Sequence, residues 1–524
     1  MRKMQRILAI VLIAAMLFVL GGCQEQGEGL TLRVSLPHEL TTLDPAMAAT
    51  ETEKTVVNHL YENLMKLTSD GEGGSTLTNA LAMHYQCENN LDGTQTWTFT
   101  LRSGITWADG QAVTANDFVY AWRRLADPAT ESPNAWVLDM VAGYAEARKS
   151  GDMTKLQVSA VDERTLAVVL SHNCPQFLRT VCADTATMPV REDMVQAEDW
   201  SMNPATLVAN GPYCVVDSWE NGVLTVRVAE GYYDQRRLGP ATLQFSCGIA
   251  DETADFTLTH DGVEGDEWML GPQPNTGTLV INQMATMTEE LRQAMSLTID
   301  RHQISELLGS VYVPASGFIP DGVGSTQGGT FRSVSGELIN NDPEQYEARC
   351  QTAKELLRGQ KLPAEGNVSL IFVSDEATDQ VAATLQKTWH DQLGLSVTLR
   401  AVEREELVTA LGKGDFTMAL VMMECTRSDA ADMLRNWTTT DSGNYAHIHN
   451  SAFDLLMRIA DVSSSAEARD AYLSDAERLL LESGYVVPIC FATDSWQLNE
   501  KLMGVYGDGM GQYFFHAVTE KLEK

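Results

Sequence analysis

Basic residues are scarce in this chain: 37 Lys and Arg face 71 Asp and Glu, a formal net charge of −34 over 524 residues. That balance repels polyanions, which argues against nucleic acid and anionic lipid surfaces as partners. No apolar run long enough to span a bilayer follows residue 20, so an integral membrane chain is not expected. The nine cysteines contain no Cys-x-x-Cys and no zinc-like spacing. A G-x-x-x-x-G-K-[ST] phosphate loop, a G-x-S-x-G nucleophile elbow and an H-E-x-x-H helix are likewise missing. No catalytic residue, metal-ligand set or cofactor motif is read, and a non-enzymatic protein is expected. Acidic pairs such as Glu405-Glu406 fit a solvated surface at this charge. Internal repeats and low-complexity tracts are also absent, and the length calls for two or three domains.

What is present begins at the N-terminus. The first six residues carry three positive charges, and Ile7 to Leu20 is apolar without interruption. Those 14 residues make about 21 Å of helix, short of a hydrocarbon core of about 30 Å. A basic head, a short apolar stretch and small residues at its end predict a signal peptide over 1–22. Leu20-Gly21-Gly22-Cys23 resembles the lipobox of bacterial lipoproteins. The resemblance implies cleavage before Cys23, acylation of that residue (palmitate included), and a flexible tether over 23–29. Losing Arg2, Lys3 and Arg6 leaves 34 basic and 71 acidic side chains, a formal −37. The eight later cysteines read mainly as small buried apolar residues, with pairing of some left open in an exported chain.

Leu30 to Leu36 alternates as a strand, and Val56, Val57, Leu60, Leu64 and Leu67 have helical spacing over Glu53 to Leu67. In "TWTFTLRSGITWADG", Trp97, Phe99 and Leu101 alternate with threonines as in a half-buried strand, with a turn at Ala108-Asp109-Gly110. Thr114 and Asp117 form a near capping box for a helix that Asp127-Pro128 stops. Further on, Val368–Val373, Asp375–Leu393, Leu395–Val402, Glu405–Leu411 and Phe416–Met422 read as strand, helix, strand, helix, strand. That succession predicts a parallel sheet covered by helices. Ligands of open sheets sit beyond the strand carboxyl ends, which makes "MMECTRSDAADML" a candidate site.

Five segments, "LDPAMAATETEKTVVNHLYENL", "WTFTLRSGITWADGQAVTANDFVYAWRRLADPATESPNA", "NGPYCVVDSW", "LRQAMSLTIDRHQI" and "NYAHIHNSAFDLLM", resemble the family 5 extracellular solute-binding proteins. These are oligopeptide- and dipeptide-binding receptors of ABC importers. The resemblance implies an α/β, periplasmic-binding-protein-like fold: two α/β lobes around a ligand cleft, with an additional domain inserted in the first lobe. Residues 30–60, 195–280 and 495–524 would form the first lobe, 61–194 the inserted domain and 281–494 the second lobe. It also implies a monomeric, lipid-anchored extracytoplasmic receptor serving permease and ATPase subunits, with ligand-driven hinge closure. Asp300-Arg301 is expected to cap or pair within a helix, Asn210-Gly211-Pro212-Tyr213 to turn into a strand, and Trp97, Trp107 and Trp122 to pack in the inserted domain's core.

In peptide-binding relatives two backbone stretches hold the ligand main chain as an added strand. Their counterparts are Ala49, Thr50 and Glu51 after Asp44-Pro45, and Met422, Met423 and Glu424 after the last strand. Aligning Met433-Leu434 with the family's Phe-Leu pair puts Thr426 where relatives carry an amine-pairing aspartate, and Arg427 where they carry tyrosine. A threonine cannot neutralise a buried ammonium. Either Glu424, or secondarily Asp429, supplies the carboxylate, or the ligand lacks a free amine: a modified peptide, a glycoside, or a metal or haem complex. Arg427 also raises the option of an acidic ligand group. Trp136 is a candidate for the cleft wall or the core, and Asn444 for a hydrogen bond to ligand. The segment 238–282 is shortened and acidic relative to the family, which would rebuild part of one wall. His447 and His449, two apart, would share a face if on a strand. A surface receptor or chaperone outside transport is a further alternative.

Overall fold

A computed structural model describes residues 29–71, 74–197, 199–216, 222–263, 265 and 267–522. The expected signal peptide, Cys23 and most of the tether lie outside these residues. No described helix is long and apolar enough to cross a membrane.

One sheet of eleven strands runs through the molecule. Its path is Thr398–Val402, Ser369–Val373, Met418–Glu424, Met269–Ile281, Val486–Leu498, Phe256–Thr259, Thr31–Leu36, Thr242–Cys247, Val223–Val228 and Tyr213–Val215, with Tyr312–Pro314 added against Val486–Leu498. The two 13-residue strands at its centre are antiparallel to each other. Their first half, Met269↔Trp496 to Pro272↔Thr493, continues into the first-lobe strand Phe256–Thr259. Their second half, Thr276↔Phe491 to Val280↔Val486, continues into the second-lobe strand Met418–Glu424. The register breaks between Pro272 and Thr276, where Pro272 and Pro274 remove ladder donors. The lobes are thus two halves of one sheet joined at a built-in irregularity.

In the second lobe, Ser369–Val373 pairs in parallel with both Thr398–Val402 and Met418–Glu424. The crossovers are helices Glu376–Leu393 and Arg404–Lys413, as the spacing predicts. Because side chains alternate across a strand, Leu279, Ile281, Leu370 and Phe372 pack on one face while Val280 and Ile371 pack on the other. Helices cover both faces, the condition for a parallel sheet. Asp300 caps Arg301–Leu308 through Gln303 N–H, and buried Arg301 donates to Pro488 O.

The segment 61–194 contains a four-stranded antiparallel sheet, ordered Ala82–Asn89, Gln95–Leu101, Thr165–Leu170, Val158–Asp162. Gln95–Leu101 shows the alternating burial its sequence predicts. Helix Ala115–Ala126 carries the expected capping box at Thr114 and ends at Asp127. Trp97, Trp107 and Trp122 are buried, in a core continuous with Val56, Leu224 and Phe245 of the first lobe.

One expectation is corrected, and two readings left open are settled among the described residues. The helix predicted to reach Leu67 ends at Leu60, and Met65–Ser69 instead pairs with Ser75–Asn79. Gly211 N–H donates to Leu60 O at 2.8 Å, and a Cβ on Gly211 would lie 2.5 Å from that oxygen, so this close approach stands where the helix would continue. His447 and His449 lie in a loop, with His447 at φ 54°, and among the described residues they form no ligand set. The eight described cysteines are unpaired, five of them buried.

Glu477 shows what fixes the second lobe. It is fully buried, accepts N–H from Phe318 and Ile319 at 2.7 and 3.0 Å, and holds Arg332 at 2.5 and 2.6 Å. Glu477→Ala leaves a buried guanidinium unpaired and should destabilise the chain by about 3–5 kcal/mol in urea unfolding. A loss below about 1 kcal/mol would show the loop 316–336 to be held by other contacts.

Candidate functional site

A cleft of about 1560 Å³, its open mouth included, lies where the first lobe, the inserted domain and the second lobe meet. The first lobe contributes Ala49, Lys54 and Asn58, Tyr61 and Glu62 follow directly after its helix, and its returning C-terminal chain adds Asp508 and Gln512. The inserted domain contributes Trp136 and Arg179, and the second lobe the run Glu424 to Ser428.

On the first-lobe side the Leu-Asp-Pro segment is clamped before it reaches the cleft. Asp44 takes both amino groups of Arg124 at 2.9 and 2.5 Å, and Asn134 Nδ2 donates to Ala46 O and Ala48 O. Thr50 then caps helix Glu51–Leu60, and Glu53 Oε2 closes the box by accepting N–H from Ala49 and Thr50 at 2.9 and 3.0 Å. Ala49 borders the cleft, but its N–H and that of Thr50 are engaged in this cap. Neither is an open donor for an added strand, in contrast to the expectation. Glu51 points elsewhere, toward His38 and His260.

On the second-lobe side, Met418–Glu424 pairs along one edge with Asn275–Ile281, while its other edge is paired only at Met418 and Ala419. Met423 packs into the core and Met422 is exposed outside the cleft, so neither side chain lines it. Glu424 does line it, exposed, its carboxylate with no hydrogen bond or ion pair among the described residues. Beyond it Cys425 N–H returns to Pro274 O at 2.7 Å and ends the pairing.

The following loop is organised by a carboxylate that sequence reasoning missed. Asp432 Oδ2 accepts from Thr426 Oγ1, Thr426 N–H and Arg427 N–H at 2.8, 2.9 and 3.2 Å. Burial raises the Asp432 carboxyl against these bonds. Thr426 is therefore turned toward its own loop rather than toward a ligand amine. Asp429 is a structural group, capping Ala430–Arg435 and binding Arg469 at 2.8 and 3.0 Å. Arg427 is committed as well: it donates to Trp136 O at 2.9 Å, pairs with Asp139 at 2.8 Å and lies 4.8 Å from the Trp136 ring centroid. Trp136 is thus both part of the cleft wall and the platform for a bridge from second lobe to inserted domain. Asn444 is buried away from the cleft and braces its own turn, donating to Thr438 O and Ile448 O and accepting from Ile448 N–H.

Five charged groups in the cleft carry no counter-ion within salt-bridge reach among the described residues: Glu424, Asp184 and Asp508, Lys54 and Arg179. Arg179 Nε reaches Ser428 Oγ at 3.3 Å. Asp508 is 7% exposed and accepts N–H from Met510 and Gln512. The Tyr61 hydroxyl and Glu62 Oε2 also lie buried there without a partner among the described residues. Only Glu424 of the five ions was legible, by its place after a strand. Lys54, Arg179 and Asp508 come from three distant segments with no shared pattern.

The family model for bacterial extracellular solute-binding proteins, family 5 Middle, matches residues 76–254 and 248–445. The chain belongs to this family. Members are transport receptors and not catalysts, which gives the lack of catalytic motifs its place. Among its relatives, the periplasmic murein peptide-binding protein MppA of Escherichia coli (strain K12) is 29% identical over 498 residues, 89% of this chain and 88% of that one. The oligopeptide-binding protein OppA of Bacillus subtilis (strain 168) is 25% identical over 555 residues, 98% of this chain and 99% of its own. The probable deoxycholate-binding periplasmic protein YgiS of Escherichia coli (strain K12) is 28% identical over 477 residues, 86% of each chain. The family 5 protein superposes on the unliganded open form of MppA with a TM-score of 0.82 at 26% identity, covering 94% of this chain and 98% of that one. Against a second structure of the Escherichia coli murein tripeptide-binding protein the score is 0.62.

Burial pushes the Asp508 carboxyl up from 3.8 to about 6, against N–H donors from Met510 and Gln512 and the charges of Arg179 and Lys54. A raised carboxyl disfavours the folded state once ionised: the cost is present above about pH 6 and gone below 3.8. Relative to wild type, Asp508→Asn should gain roughly 1–3 kcal/mol between about pH 4 and pH 7.5. Urea unfolding at both pH values reads this; a difference independent of pH would mean that Asp508 ionises as in water.

Proposed function

We propose that this solute-binding protein captures a short peptide with free termini outside the membrane and delivers it to the permease and ATPase subunits of an ABC importer. The observation that carries the reading is the two-signed cleft: Glu424 and Asp508 without counter-ions on one hand, Lys54 and Arg179 on the other. A zwitterionic peptide supplies both missing partners. Charges and polar atoms left unpaired in a cleft are costly until a ligand completes them. The exposed edge of Met418–Glu424 offers main-chain hydrogen bonds to an extended ligand, in keeping with strand addition. Ala49, Trp136 and the backbone from Glu424 to Arg427 form the walls in this reading. That MppA and OppA are described as binding murein peptide and oligopeptide agrees with the class.

In this reading Glu424 takes the role that an aspartate at position 426 would hold. Glu424→Gln should weaken binding of a free-amine peptide at least tenfold and leave its N-acetylated form unaffected. Equal calorimetric affinity of both variants would remove Glu424 as the anchor. A ligand without an amine is the second reading, favoured by the turning of Thr426 toward Asp432 and by the name of YgiS, a probable deoxycholate-binding protein. Native mass spectrometry of the purified chain separates the two by the mass that co-purifies.

Cys23 is the proposed lipid anchor, holding a monomeric receptor beside its importer and raising the local concentration of captured solute. Replacement by serine should release the protein in soluble form; a membrane-bound Cys23→Ser chain would overturn the anchor.

A further inference from the structure

Three side chains that the cleft does not use converge on the first lobe. His38 follows the strand Thr31–Leu36, Glu51 opens the helix Glu51–Leu60, and His260 follows Phe256–Thr259. His260 Nε2 lies 2.5 Å from Glu51 Oε1 and 3.2 Å from His38 Nε2, and His38 Nε2 lies 2.9 Å from the same Oε1. These ligand atoms all fall within 4.8 Å of one another. Behind them, His260 Nδ1 lies 2.7 Å from Asp494 Oδ1, which also accepts from Gln273 Nε2 at 2.6 Å. Asp494 is fully buried, and its Oδ2 has no partner among the described residues.

We propose that His38, Glu51 and His260 bind one divalent ion of the zinc class, with Asp494 as the residue that positions His260. Two imidazole nitrogens and one carboxylate oxygen are a donor set for borderline ions such as Zn²⁺. Donors about 2.1 Å from a tetrahedral ion stand about 3.4 Å apart, so the observed separations need only a small outward movement. A carboxylate behind a ligating imidazole fixes its tautomer: Nδ1–H donates to Asp494, and the Nε2 lone pair is left for the metal. Two Nε2 atoms at 3.2 Å call for a hydrogen on one of them, donated to the other, or for a cation shared by both. His38, at 45% side-chain exposure, leaves the point accessible and a coordination position open to water. The cleft is not involved, because none of the three residues lines it. The ion would join three first-lobe segments beside Asp494, two residues from the register break in Val486–Leu498. This site is independent of the peptide reading.

The test uses the mature chain as a Cys23→Ser, Cys87→Ser variant, so that neither the anchor nor the exposed thiol interferes. After chelator treatment, zinc chloride titration by calorimetry and native mass spectrometry should find one tight ion per chain, micromolar or better. His38→Ala lies at a half-exposed position and should fold; it should weaken that ion about 10–100-fold, as should His260→Ala. The same ion should raise Tm in the parent and not in these variants. Glu51→Gln keeps the Thr50–Glu53 cap and should behave likewise, whereas His447→Ala should retain full binding. No stoichiometric zinc at about 1 mM, or equal affinity in His38→Ala and His260→Ala, would overturn the site and leave a proton between the imidazoles.

Discussion

The pairing of Met269–Ile281 with Val486–Leu498 is the constraint on which the rest of the molecule depends. A sheet of eleven strands cannot be cut in two without leaving long unpaired edges, yet a receptor must open and close. The register break near Pro272–Thr276 reconciles these demands. A second, smaller shift follows between Gly277 and Thr278, and beyond these each lobe keeps its part of the sheet under its own core. At the break, two prolines and an interrupted ladder reduce the bonds that a rotation would strain. Any rotation between the lobes would be confined to a few residues there, as expected of a hinge between packed bodies.

The cleft opens beside this crossing, and its walls are set by structural groups a step behind them. Asp44–Arg124 and Asn134 hold the segment that ends at Ala49, and Asp432 shapes the loop from Thr426. The Arg427–Trp136 contact is of a different kind, since it joins the second lobe to the inserted domain across the cleft edge. Asp139 is half exposed, so the ion pair itself is weak in water. A weak bridge ties the two parts together without locking them.

Legibility in the sequence followed how local each constraint is. Gln95–Leu101 was readable because half-burial of a strand imposes a period of two, and the β/α alternation of 369–424 because each element is long enough to show its own period. The same rule misleads at Leu64 and Leu67: they continue a helical spacing by chance, while the approach of Gly211, some 150 residues on, stands against the turn after Leu60. Family pattern pointed to Thr426 as the place where ligand class is read. The carboxylate that governs that loop is Asp432, whose role rests on a hydrogen-bond pattern that no spacing displays. His38, Glu51 and His260 span 222 residues of sequence and have no motif, so only folding reveals their convergence.

Net charge and cleft charge act at different ranges. A chain of formal charge −34 sets up a negative field that attracts cationic groups and slows the approach of anionic ones. By itself this would favour amines over zwitterions. Within the cleft, however, Lys54 and Arg179 stand among apolar and hydrogen-bonding walls, where screening by water and salt is weaker than at the surface. There a carboxylate gains more than the outer field costs it. The far field therefore governs how fast a solute arrives and at which end it is first drawn in, whereas the two local cations govern which way round it comes to rest. An excess of acid outside and two unpaired cations inside is a consistent arrangement for a ligand that carries both signs.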